Sequence, residues 1–176
     1  MTIGGVFMEI NYELLEDDYI KFNLYHLRES ETYKREIYIQ KYILNSVLAF
    51  MIFVIGTFIF KQPMLYWTLI AILFLIIQIK TNEKQNEKSE IKKIKKYLEE
   101  GENKFLFGKK ILKIENEKIY IKSELSEEIK DKKSIIDVKI YDDLIVLYES
   151  SITAEIIPKR YLKEDEIETI ISLLKK

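Results

Sequence analysis

The chain has 176 residues, 48% of them hydrophobic and 32% charged, with a formal net charge of −1. That balance excludes a basic nucleic-acid footprint spread over the whole protein, and the lack of cysteine excludes a disulfide framework or thiolate metal site. Five glycines, with no G-x-x-x-x-G-K-[ST], G-x-G-x-x-G or G-x-S-x-G pattern, leave no recognisable phosphate cradle or nucleophile elbow.

The first residues, MTIGGVF, lack a basic region followed by a sustained apolar core, so they do not read as a signal peptide. Met8 is a candidate native start, with Gly4-Gly5 translated from a ribosome-binding sequence. From Glu9 to Leu14 the residues alternate, with Ile10, Tyr12 and Leu14 on one face, as in a half-buried strand. Glu16, Asp17 and Asp18 then put negative charge where a helix dipole favours it, and Tyr19–Leu27 suits a partly amphipathic helix. Ser30–Thr32 is a candidate break, after which a second helix from Tyr33 runs toward the membrane. His26 is the only histidine and has no identifiable catalytic partner, so it reads as a helix-surface residue.

Two apolar runs follow, Tyr42–Phe60 and Met64–Ile79, joined by Lys61-Gln62-Pro63. As helices, their 19 and 16 residues span roughly 28 and 24 Å, against an apolar bilayer core of ~30 Å. Lys80 can snorkel at one end of the second run, and Tyr66 and Trp67 suit an interface at the other. Arg28, Lys34, Arg35 and Lys41 precede the hairpin, and seven lysines between Lys80 and Lys96 follow it. The connection carries only Lys61, so both termini are expected in the cytoplasm. Asn45, Ser46, Ala49 and Gly56 offer small or polar helix-packing contacts; Asn45, Ala49 and Gly56 are the principal candidates.

Lys80–Glu100 reads as a cytosolic continuation of the second helix ending at Gly101, with Ile91, Ile94 and Leu98 as a thin apolar stripe. Glu83 and Glu87 beside Lys84 and Lys88 suggest ion pairs within that helix. Beyond Lys104 come short alternating runs: Phe105–Phe107, Lys110–Glu115, Lys118–Lys122, Ser126–Lys130, Ser134–Tyr141, Leu144–Glu149 and Thr153–Pro158. The last element is an amphipathic helix over Lys163–Leu174, with acids in its first turn and Lys175-Lys176 at its end. Such an order suits a pleckstrin-homology-like barrel, although lipocalin-like and other small barrels share the strand number.

Two stretches carry a family likeness. MEINYELLEDDYIKFNLYHLRES (Met8–Ser30), ahead of a membrane hairpin, resembles the N-terminus of the YcxB-like family of bacterial membrane proteins. AEIIPKRYL (Ala154–Leu162), ahead of a final helix, resembles the end of that family's C-terminal domain, which looks like a pleckstrin-homology-type module. The family often carries a W-x-x-I run where this chain has Ile135-Ile136-Asp137-Val138. Packing survives that exchange; a role requiring indole does not. The resemblance implies an architecture and no established activity.

The sequence therefore predicts a membrane α + β fold: a two-helix transmembrane hairpin with a cytosolic pleckstrin-homology-like small β-barrel or sheet capped by a C-terminal helix. Its expected parts are an N-terminal strand and helix at 1–41, the hairpin at 42–80, a charged helical linker at 81–103 and the β domain at 104–176. The expected function is non-enzymatic: a two-pass plasma-membrane protein presenting a cytoplasmic interaction or scaffold domain. The alternative is an oligomerising membrane protein of envelope stress or toxin immunity. No catalytic, metal or cofactor residue is assigned and no cofactor is expected. Lys159 and Arg160 are candidate contacts for lipid phosphate or a partner's carboxylates, beside a structural role covering the loop before the last helix. The expected partners are the bilayer and a protein bound through the β domain, with no nucleic acid and with homo-oligomerisation left open.

Overall fold

A computed structural model describes residues 7–101, 103–151 and 153–174. The Gly4-Gly5 segment and Lys175-Lys176, to which the sequence reading gave roles, lie outside them. The chain forms two compact units, one from Met1–Asn23 with Tyr97–Lys176 and the other from Leu24–Lys96. This differs from the expected division, which kept 1–41 apart from 104–176. The reason is a strand pairing that local periodicity cannot reveal.

In the first unit, β1 (Phe7–Leu14) pairs antiparallel with β2 (Gly108–Glu115), so the N-terminal strand joins a sheet formed by the far end of the chain. That sheet continues through β3 (Lys118–Ser123) and β4 (Glu127–Asp131) in the order β1-β2-β3-β4. Alternation decides its faces. Met8, Ile10, Tyr12 and Leu14 of β1, Leu112 and Ile114 of β2, and Ile119 and Ile121 of β3 are buried, whereas Glu9, Asn11 and Glu13 are exposed. The predicted strand at Phe105–Phe107 is instead a 3-10 turn, Asn103–Leu106. Phe105 is exposed there, and Asn103 spends its side-chain amide on the carbonyls of Tyr97 and Leu98 at the preceding helix end.

A second antiparallel sheet holds β5 (Asp137–Ile140), β6 (Leu144–Tyr148) and β7 (Ala154–Pro158), with β6 central. Every residue of β6 is buried, so both faces of this strand are covered. Leu147 is opposite Glu155, whose carboxylate meets Tyr12 and Lys110, so this face looks onto the first sheet. Tyr148 points the other way, its ring centroid 6.2 Å from that of Phe22 on helix α1 (Glu16–Glu29). In Ile135-Ile136-Asp137-Val138, Ile135 and Val138 are buried and Ile136 is exposed. A final helix spans Glu164–Leu174 and buries Ile170 and Leu174. Glu166 accepts from the Lys163 backbone N–H at 2.8 Å, the side-chain half of a capping box.

The second unit is helical. Ser30 caps the start of α2, its hydroxyl accepting from the Tyr33 N–H. From there α2 runs Glu31–Ile59, with wider π-type turns over Ile39–Leu44 and Ile55–Ile59. Lys61 takes a left-handed φ of 49° in the connection, and α3 then spans Met64–Glu99. The two are long and apolar enough to cross a membrane. On α2 the buried residues are Asn45, Ala49 and Gly56; on α3 they are Ala71 and Asn82. These fall on one stripe of each helix, where small side chains permit close backbone approach. The final helix is designated α4.

Candidate functional site

Three arrangements of side chains bring together residues distant in sequence. The first lies where β1 enters α1 and β7 leads toward α4. Asp18, in the first turn of α1, accepts from the Leu15 N–H at 2.9 Å and is 2% exposed. The Arg160 guanidinium grips this carboxylate with both arms, at 2.6 and 2.7 Å, and also donates to the Glu13 carbonyl at 2.9 Å. It lies 4.9 Å from the centroid of the Tyr161 ring. Arg160 is thereby an internal tie between two connections. Lys159 is half-buried, with its backbone N–H donating to the Asp143 carbonyl at 2.9 Å. Lys21 of α1 pairs with Asp143 and is held more strongly protonated by that hydrogen bond.

The second arrangement joins the two sheets. Tyr12 Oη donates to Glu155 Oε1 at 2.6 Å, and Lys110 Nζ reaches the same oxygen at 3.0 Å. All three belong to the interior: Tyr12 is 3% exposed, Glu155 8%, and the Lys110 side chain 15%. Burial pushes the Tyr12 phenol well above its ordinary range, and the neighbouring carboxylate adds to that shift. At the other end, Lys130 bridges Glu149 at 2.6 Å and Glu128 at 2.9 Å. Burial favours its neutral form, yet the two carboxylates more than offset this and its pKa is raised. These contacts are polar rivets of a β core, and their charges satisfy one another.

The third lies on the helical unit. Lys41 pairs with Glu83, and Arg28 pairs with Glu87 at 3.2 Å. The expected pairing of these acids with Lys84 and Lys88 is replaced by pairing across helices. Glu83 and Glu87 are four apart and share one helix face, the face that meets Lys41 and Arg28. Above these pairs, the small residues meet the opposite helix. A Cβ built on Gly56 would lie 1.9–2.3 Å from ring atoms of Trp67, so the indole rests directly on the glycine backbone. Asn45 is buried and donates to the Lys41 carbonyl of its own helix at 3.1 Å, leaving its polarity locally absorbed.

His26 is half-buried on α1. Among the described residues, no three His, Cys, Asp or Glu side chains are grouped to hold a metal ion. No signal in the sequence marked Tyr12, Lys110 and Glu155 as a set, because each is an ordinary strand residue until the sheets are stacked. No family model, curated protein or solved structure matches the chain.

Proposed function

We propose that the protein is a non-enzymatic, two-pass membrane protein that holds its β domain at the cytoplasmic face as an interaction module. The observation that carries the reading is where the large apolar side chains lie. Phe50, Phe58, Leu65, Leu69 and Leu73 are each 58–74% exposed, on the two helices long enough to span a bilayer. In water each such side chain left out of a core forgoes about 1.5–3 kcal/mol; hydrocarbon removes that penalty. Of the most apolar stretch of each helix, 17% and 0% is buried, unlike a core helix of a soluble protein.

The lysine distribution around the hairpin supports cytoplasmic termini. Four strands, then three, then a C-terminal helix support a pleckstrin-homology-like β domain, here with the membrane hairpin inserted between its first two strands. The resemblance of Met8–Ser30 and Ala154–Leu162 to YcxB-like proteins supports the same arrangement. Partner binding is supported by Ile129, 58% exposed on edge strand β4, and Leu125, 81% exposed in the preceding turn. Alkaline carbonate extraction tests the anchor: the full chain stays in the membrane pellet. Release of most of the chain into the supernatant refutes the reading.

A further inference from the structure

The helical unit contains a cleft of about 380 Å³, within the roughly 300–1,000 Å³ typical of small-ligand sites. Its walls differ in sign. Arg28, Tyr33, Lys34 and Ile37 form one side, from the end of α1 and the start of α2. Glu83, Asn86 and Glu87 of α3 form the other. Two cations thus face two carboxylates, and Asn86 in the acidic wall donates to the buried Asn82 Oδ1 at 2.7 Å.

We propose that this cleft binds the headgroup of a phosphatidylethanolamine-type lipid, with phosphate at Arg28 and Lys34 and ammonium at Glu83 and Glu87. The inference rests on the membrane-anchor reading above. A basic pocket would select anionic lipids; equal numbers of opposite charges favour a ligand that is itself a zwitterion. A primary ammonium can donate hydrogen bonds to both carboxylates, which a trimethylammonium cannot. The existing pairs are no obstacle. Arg28 meets Glu87, Lys41 meets Glu83 and Lys34 meets Glu31; each pair has a side chain more than half exposed, and exposed pairs of this kind contribute little.

Depth agrees with this assignment. Along α3, Glu83 and Glu87 lie about 6 and 12 Å beyond Ile79, the last apolar residue of the span. The headgroup layer is roughly 5–8 Å thick on each side of the hydrocarbon. The Glu83 end therefore sits in that layer and the Glu87 end at its outer limit. Ile37 lines the membrane-proximal end, and the exposed Tyr38, Ile39 and Tyr42 continue an apolar surface along which acyl chains can lie.

The test uses the full chain purified in mild detergent from vesicles containing phosphatidylethanolamine, phosphatidylglycerol and phosphatidylcholine in equal amounts. Retained lipid is quantified by mass spectrometry. The wild type retains phosphatidylethanolamine about tenfold over phosphatidylcholine, the size of one charge-assisted hydrogen bond. Glu83→Gln/Glu87→Gln inverts the preference toward phosphatidylglycerol, because Arg28 and Lys41 then lose their acids and the cleft becomes net positive. Lys95→Gln, outside the cleft, leaves it unchanged. If the double variant aggregates, Arg28→Gln/Lys34→Gln serves instead and lowers retention of both phosphatidylethanolamine and phosphatidylglycerol. Retention in proportion to supply, or an unchanged preference in the variants, overturns the proposal. So does displacement of all three lipids alike by free phosphoethanolamine, which would assign the cleft to a soluble phosphoamine. Carbonate extraction of the same preparations reports separately on the anchor, so failure of one reading is distinguishable from failure of the other.

Discussion

An Arg160→Ala chain is expected to lose about 3–5 kcal/mol of β-domain stability, the cost of leaving a buried carboxylate unpaired. The figure follows from the asymmetry of the pair. Arg160 is 41% exposed along its side chain and could return to water, but Asp18 is 3% exposed and cannot. Its remaining partner, the Leu15 N–H, satisfies one oxygen only. For a domain of about 100 residues, 1 kcal/mol moves the melting temperature by roughly 4–8 °C, so thermal unfolding in detergent should shift by well over 10 °C. Arg160→Lys keeps the charge but loses the two-armed grip and the contact to the Glu13 carbonyl, and should fall between. Asp18→Asn in the Arg160→Ala background should recover part of the loss by removing the stranded charge. A melting temperature unchanged by Arg160→Ala would place the pair among weak surface bridges worth 0–1 kcal/mol.

The second large effect is expected inside the hairpin. Carbon atoms in contact sit about 3.5–4 Å apart, whereas a Cβ at Gly56 would be 1.9 Å from the nearest Trp67 atom. Gly56→Leu therefore expels the indole, at a cost on the order of 1–3 kcal/mol for overpacking. Trp67 is the only tryptophan, so tryptophan emission reports on the surroundings of this one ring. Its Nε1 is buried with no hydrogen-bond partner, and expulsion lets it reach interfacial water or headgroups. In vesicles, Gly56→Leu should shift the emission maximum and increase quenching by brominated lipid, with Gly56→Ala shifting it less. Identical spectra and quenching for the wild type and Gly56→Leu would contradict the packing.

Much of this was legible locally. The alternation of Ile10, Tyr12 and Leu14 marks a strand, and the acids at 16–18 mark a helix start. The Ser30 break and the two apolar runs were also visible. What could not be read is pairing across distance. Nothing near Phe7–Leu14 says that its partner is Gly108–Glu115, since the whole hairpin intervenes. Asp18 and Arg160 were each visible as a helix-start acid and a loop cation, but only the stacking of the sheets makes them partners. The run at Phe105–Phe107 was apolar enough for a strand but only three residues long, and β1 takes the edge of β2 that such a strand would need. At Glu83 and Glu87 the sequence suggests pairs within one helix; the two acids, on one face of α3, meet Lys41 of α2 and Arg28 of α1 instead.

The proposed topology puts the hairpin turn outside and the β domain inside. The chain contains no cysteine, so single introduced thiols can be labelled without background. Gln62→Cys marks the connection and Leu125→Cys, at a position 81% exposed, marks the β domain. In intact cells a membrane-impermeant maleimide should label Gln62→Cys and leave Leu125→Cys unlabelled until the membrane is permeabilised. Labelling of Leu125→Cys in intact cells, or of Gln62→Cys only after permeabilisation, would contradict it.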